Sequence, residues 1–181
     1  HHRHADASAP TLLLLHGWTA SADLQFFTAY EALAEHYSFV AVDHRGHGRG
    51  IRGQEKFELA DAADDAAALV QHLGVAPVIT VGYSMGGPIS MLLAQRHPDL
   101  VQAMVVQATA LEWRSTWFER LKWKTVHIIG PLLRSRLYRR WLRWGILRLL
   151  GRNHPLEQYV PWMANELRRN DAFSVVQAGQ S

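Results

Sequence analysis

The stretch VITVGYSMGGPISMLLAQ, residues 78–95, constrains this chain more than any other. An apolar, β-branched run meets Gly82-Tyr83-Ser84-Met85-Gly86, and apolar residues then recur three and four apart. The first part reads as a buried strand and the last as a helix. A strand that turns directly into a helix has a crowded corner, and Gly82 and Gly86 sit two residues either side of its apex. Gly87 extends the allowance for close helix–strand approach. Ser84 is the apex, so its hydroxyl is expected to stand exposed on a strained turn. A serine hydroxyl is a poor nucleophile at neutral pH until a base takes its proton. The amides of Met85 and Gly86 open a helix and lack helical acceptors, so they can face a developing oxyanion. Two glycines around a serine are weak evidence alone. The sequence on either side gives the pattern its weight.

That context is an alternation of strands and helices. TLLLLHG (Thr11–Gly17) and SFVAVD (Ser38–Asp43) are short apolar runs, PVITVG (Pro77–Gly82) is a third and VQAMVVQA (Val101–Ala108) a fourth. Between them helices are expected over about Leu24–His36, Leu59–Leu73 and Met85–Arg96. Asp61, Asp64 and Asp65 lie early in the second of these, where the helix dipole favours negative charge, and Gly74 ends it. Fully apolar strands alternating with helices imply an α/β fold with a parallel sheet covered on both faces. Ligands of such sheets bind at the carboxyl ends of the strands. His16, Gly17, Trp18, Asp43, Ser84 and Glu112 fall at or near those ends.

Composition changes sharply further on. The net charge of the 181 residues is +3, yet residues 113–152 hold eleven Lys/Arg and a single acid, Glu119. Six of the seven tryptophans lie in or just after that basic segment. The change divides the chain into a core part, 1–111, and a helical part, 112–181. In the helical part Leu132, Leu133, Leu137, Trp141, Trp144, Leu147 and Leu150 recur at three to four residues with arginines between them. This predicts helices from Trp113, over Pro131–Leu150, over Pro155–Arg169 and from Asp171, with leucines and tryptophans turned inward and arginines outward. A basic amphipathic helix with tryptophans also suits an anionic lipid surface. No nucleic-acid module accompanies the charge, so no nucleic-acid partner is expected. There are no cysteines, which excludes disulfides and thiolate metal sites. No apolar run reaches the roughly 20 residues that span a bilayer. The expected compartment is the cytoplasm, although a chain beginning at His1 leaves a removed signal peptide open.

HGW after the first strand, DHRGHGRG after the second and GYSMGG after the third occur in this order. Together they resemble the α/β-hydrolase superfamily, in particular its small serine esterase, lipase and peroxidase-like members. The resemblance covers about residues 11–111 and implies an α/β-hydrolase fold with a helical cap. It implies Ser84 as nucleophile and the backbone N–H groups of Trp18 and Met85 as the oxyanion hole. His16 would then be a packing and turn residue, and Asp43 and Arg45 would brace the loop after the second strand. The implied reaction is hydrolysis of a small ester or related acyl compound through an acyl-enzyme, with no metal or organic cofactor. Serine at position 84 argues against haloalkane dehalogenase and epoxide hydrolase chemistry, whose relatives carry aspartate there.

The family orders its residues nucleophile, acid, histidine. The strands expected to carry the acid and the histidine do not occur within these 181 residues, so both are expected beyond residue 181 in a C-terminal core part. Within the chain, Glu112 is the candidate acid, and His44, His47, His127 and His154 are the imidazoles that merit a geometric test as base. A noncatalytic ligand-binding protein that keeps the pocket is the alternative from another class.

Overall fold

The computed structural model describes residues 1–53, 57–110, 116–117, 141, 144–145, 148 and 154–178. Four strands form one parallel sheet: β1 (Thr11–Leu15), β2 (Ser38–Val42), β3 (Val78–Tyr83) and β4 (Val101–Gln107). Their order is β2-β1-β3-β4. β1 is almost entirely leucine because it is central, and Leu12, Leu13, Leu14 and Leu15 are all buried. Leu13 and Leu15 face one core and Leu12 and Leu14 the other. The register sets Leu15 level with Val42 and with Gly82. The residues that follow these three, His16, Asp43 and Tyr83-Ser84, therefore emerge side by side at one end of the sheet.

One face is covered by α1 (Ala22–Phe26) and α2 (Tyr30–Ala34), the other by α3 (Leu59–Leu73) and α4 (Gly86–Arg96). The single helix expected over 24–36 is thus two short ones. Ser21 caps α1 by accepting from Leu24 N–H at 3.1 Å, and a tight turn, Ala29 N–H to Phe26 O at 2.8 Å, separates it from α2. The break lets adjacent phenylalanines serve two surfaces. Phe26 enters the core, while Phe27 meets the rings of Tyr159 and Trp162 edge-on.

α3 has the expected bounds. Glu58 and Asp61 form a reciprocal cap at its start, and Gly74 ends it with φ 63°. Its inner face is Ala62, Ala63, Ala66, Ala67 and Val70, small enough for the helix to lie close on the sheet. Of the three aspartates assigned to the dipole only Asp61 serves the helix start. Asp64 instead holds Arg96 at the end of α4 and His97 just after it, and Asp65 holds Arg45.

The two edges of the sheet differ. On β2, residue His2 makes an antiparallel bridge to Phe39 and stacks its ring on that side chain at 5.1 Å. β4 departs from the expectation of a strand covered on both faces: every residue from Gln102 to Gln107 is exposed, including Met104, Val105 and Val106.

The later helices are α5 (Val160–Leu167), preceded by a short 3₁₀ turn at Glu157–Tyr159, and α6 (Ala172–Ala178). Both lie against the loops at the carboxyl ends of β1 and β2, the side on which a cap is expected. The inward orientation expected of the tryptophans is not met by the three described in the basic segment. Trp117, Trp141 and Trp144 are 73%, 66% and 54% exposed. Trp141 and Trp144 pack edge-on against each other, and the Arg148 guanidinium lies 5.3 Å over the Trp144 ring, so these side chains cover one another instead of the core. Leu132, Leu133, Leu137, Leu147 and Leu150 lie outside the described residues.

Candidate active site

The connection from β1 crosses one face of the sheet and the connection from β3 crosses the other, so the chain diverges between these neighbouring strands. Such a divergence opens a crevice at the carboxyl ends. His16-Gly17-Trp18 leaves β1 there and Ser84 leaves β3.

Ser84 adopts φ 52°, a left-handed conformation that a non-glycine residue holds at a cost of about 1–3 kcal/mol. Its backbone is fixed on both sides. Ser84 N–H donates to Gln107 O at 2.8 Å, and Thr109 Oγ1 donates to Ser84 O at 2.8 Å. The corner admits no side chain at either flanking glycine. A Cβ on Gly82 would lie 2.3 Å from Gly86 O, and one on Gly86 would lie 2.1 Å from Leu15 O. Gly17 is less tightly enclosed, but a Cβ there would still lie 3.2 Å from the Tyr83 ring and 3.3 Å from Ser84 Cβ. The loop after β1 is therefore pressed against the serine, and the amide of Met85, buried at the start of α4, opens the helix beside it.

His16 is fully buried and both ring nitrogens are engaged. Nδ1–H donates to Gly17 O at 2.8 Å, and Nε2 accepts from His44 N–H at 3.1 Å. A ring nitrogen that accepts a backbone N–H has no place for a proton, and burial beside His47 holds the His16 pKa down to about 3. It is a neutral structural imidazole. His44 and His47 are also buried, with centroids 4.3 and 5.5 Å from His16, and burial lowers both pKa values. His47 Nδ1–H donates to Arg45 O at 3.1 Å, while His47 Nε2 and both nitrogens of His44 lack partners among the described residues. His154 Nδ1 accepts from Leu156 N–H. No hydrogen bond joins the Ser84 hydroxyl to an imidazole among the described residues. His127 and Glu112 lie outside them.

Asp43 and Arg45 do brace the loop after β2, though not through each other. Asp43 accepts from Ala22 N–H at 2.6 Å and from Arg49 N–H at 2.7 Å. Arg45 makes a two-pronged pair with Asp65 on α3, at 2.7 Å for each prong. The sequence reading missed the polar residues that hold this loop to the later helices. Glu166 of α5, 1% exposed, accepts from Arg49, Arg169 and Ser21, and Asn170 bridges Gly48 and Thr19. Their only sequence signal is an acid and an amide in a stretch of mixed charge after the basic segment, which names no partner. Among the described residues no group of three or more His, Asp or Glu is arranged to hold a metal, and no helix is long and apolar enough to cross a membrane.

A strained serine at a strand-to-helix corner, beside the loop of a neighbouring parallel strand, agrees with the family match: the alpha/beta hydrolase fold model fits residues 10–125. The chain belongs to the alpha/beta hydrolase fold family. It is 36% identical over 98 residues to a 2-(acetamidomethylene)succinate hydrolase of Mesorhizobium japonicum, covering 54% of this chain and 35% of that protein. It is 34% identical over 102 residues to a bifunctional esterase/perhydrolase of Acinetobacter calcoaceticus, covering 55% and 37%. Other similar proteins include carbamate hydrolases named as putative and a soluble epoxide hydrolase, so the relatives are hydrolases of several kinds. Among solved structures, an enol-lactonase of Burkholderia xenovorans superposes with a TM-score of 0.77 at 19% identity, covering 99% of this chain and 68% of that one. The match spans about a third of the length of the curated relatives.

Proposed function

We propose that this alpha/beta hydrolase chain carries the nucleophile and oxyanion side of a serine hydrolase acting on an ester or related acyl bond of a small molecule. Ser84 attacks the carbonyl carbon, and its hydroxyl proton passes to a histidine. The backbone N–H groups of Trp18 and Met85 receive the charge that develops on the carbonyl oxygen. Water then releases the acyl group from Ser84. The observation that carries this reading is the left-handed Ser84, pinned through Gln107 O and Thr109 Oγ1 beside Gly17. Strain maintained by its surroundings at one polar residue is typical of a reacting group. The esterase activity named for the Acinetobacter relative supports the ester assignment. Thioester, lactone and carbon–carbon hydrolysis and perhydrolysis use the same serine chemistry.

The histidine and acid are proposed to come from polypeptide packed on the open β4 side, following residue 181. Two observations support this: the exposure of β4, and the absence of an imidazole on Ser84 among the described residues. Glu112 is the alternative acid within this chain. A fluorophosphonate probe should label Ser84 in the intact protein, and Ser84→Ala should lower p-nitrophenyl ester turnover by about a thousandfold or more. The 181-residue chain alone should hydrolyse such esters at little above background. Intact protein that binds ligand without labelling would make this a binding protein. Robust Ser84-dependent turnover by the 181-residue chain would turn attention to His44, His47, His127 or His154 as base.

A second reading has its own observation. The outward Trp117, Trp141 and Trp144, in a segment with ten more positive than negative charges, suit contact with an anionic lipid surface. Co-sedimentation with phosphatidylglycerol vesicles, absent with neutral ones, would support it.

A further inference from the structure

The loop proposed to supply one oxyanion amide contains a second strained residue. Gly17-Trp18-Thr19-Ala20 is a β-turn closed by Ala20 N–H to Gly17 O at 3.2 Å, and Thr19, its third residue, has φ 63°. Turns with a positive φ at that position normally place glycine or asparagine there. A β-branched residue in this conformation is an outlier that must be held from outside.

The hold comes from the end of α5 and the start of α6. The Asn170 side-chain amide uses both its functions: Nδ2–H donates to Thr19 O, and Oδ1 accepts from Gly48 N–H at 2.9 Å. Its neighbours are fixed to the same scaffold. Arg169 O accepts from Arg52 at 2.7 Å, and Asp171 N–H donates to Gly46 O at 2.7 Å. The Trp18 indole N–H donates to Val175 O at 2.7 Å, so the same short segment grips two adjacent residues of the turn. We propose that Asn170 is a positioning residue: it holds Thr19 in the left-handed conformation and thereby aims the Trp18 peptide at the carbonyl oxygen of the substrate.

The amide chemistry is specific. The Thr19 carbonyl needs a donor and the Gly48 amide needs an acceptor, and only a side chain with one of each meets both. Asn170→Asp keeps the acceptor and sets a carboxylate oxygen against the Thr19 carbonyl. Asn170→Ala removes both contacts.

This inference rests on the oxyanion assignment above, and its test separates the two. The intact protein and its Asn170→Asp and Asn170→Ala variants are assayed on p-nitrophenyl acetate, and the Thr19 conformation is read from crystal structures or backbone ¹³C shifts. In both variants Thr19 leaves the left-handed region. The value of kcat falls about ten- to a hundredfold with KM within twofold, since an oxyanion contact acts in the transition state and a displacement near 1 Å has effects of that size. Thr19→Gly supplies the second handle because glycine adopts the turn without support. In that background Asn170→Ala should cost less than threefold in kcat. Thr19 remaining at positive φ in both Asn170 variants overturns the proposal. So does an Asn170→Ala penalty that is undiminished beside Thr19→Gly, which would mark Asn170 as a general structural contact. If the parent protein shows no Ser84-dependent turnover, the serine hydrolase reading fails and the positioning of Trp18 for catalysis fails with it; if that turnover is present, Thr19 relaxing with the fall in kcat leaves both standing, and Thr19 relaxing with kcat unchanged overturns the positioning role alone.

Discussion

His44 is the least comfortable side chain in the described structure. It is 2% exposed and neither ring nitrogen has a partner. It shares its surroundings with His16 and His47, whose pKa values are also pushed below the ordinary histidine range by burial. In the unfolded chain all three take up protons near pH 6.5. In the folded chain they stay neutral to lower pH, and His16 does so to about pH 3. The unfolded state therefore binds more protons between those limits, and stability falls as pH falls through this window. His16 alone amounts to about 2 kcal/mol between pH 7 and pH 5 at 1.36 kcal/mol per pKa unit. Urea unfolding at pH 7.5 and pH 5 should show a loss of this order or larger. His44→Met should reduce the slope and leave stability at pH 7.5 unchanged or higher, because an unpartnered buried polar group is replaced by an apolar one. Equal stability at both pH values would count against a neutral buried cluster. The sequence carried half of this residue-level picture. HGW and DHRGHGRG marked the loops, and His16 was expected to be structural. That three imidazoles from two loops meet in one buried cluster depends on the parallel pairing of β1 with β2, which no local pattern states.

Among the elements, α5 is tied to the loop after β2 and to Ser21 through one buried carboxylate, beside its buried Val160 and Met163. Glu166 accepts from Arg49 at 3.0 and 3.1 Å, from Arg169 at 3.0 Å and from Ser21 at 3.2 Å, with Arg49 reaching it from the loop after β2. The carboxylate is buried, whereas the two guanidiniums are about half exposed. Removing a buried partner from an ion pair commonly costs 3–5 kcal/mol, but water already screens these cations, so roughly 1–3 kcal/mol is expected for Glu166→Gln. Urea unfolding followed by tryptophan fluorescence measures this, with Trp18 and Trp162 both near the affected junction. A change below about 0.5 kcal/mol would mean that α5 is held by its apolar face, Val160 and Met163, instead. The strands were legible as short apolar runs, and α3 and α4 because each has a long apolar face and clear ends. The 24–36 helix was misjudged because its apolar spacing continues through a turn, and adjacent Phe26 and Phe27 each satisfy a different surface. The Glu166 and Asn170 contacts span more than a hundred residues, and composition gives no sign of them.

At the scale of the molecule, the unbalanced feature is the sheet. Its central strand is buried on both faces, while β4 leaves Met104, Val105 and Val106 each more than two-fifths exposed. An apolar strand of this length with an unpaired edge is a template for pairing with another strand. Natural edges are usually blunted by charge, proline or a bulge, and the register shift between Val78 and Ile79 affects only the start of β4. The remaining run, AMVVQ, carries no charge. The 181-residue chain on its own should therefore associate through β4 at micromolar concentration, seen as a rise in light scattering with protein concentration and time. Val105→Lys places a charge on that edge without touching the buried core, since Val105 is 44% exposed. It should slow the association several-fold and leave the urea midpoint nearly unchanged, as expected for a surface change. In the intact protein the same substitution should behave oppositely if further strands cover β4: the charge would then be buried, and stability should fall by about 2 kcal/mol or more. The sign of the Val105→Lys effect in the two contexts thus reports whether β4 is an edge or an interior strand. A stable, monodisperse 181-residue chain, together with no destabilisation of the intact protein, would show that β4 is a true edge. The histidine proposed to reach Ser84 from that side would then have to come from elsewhere.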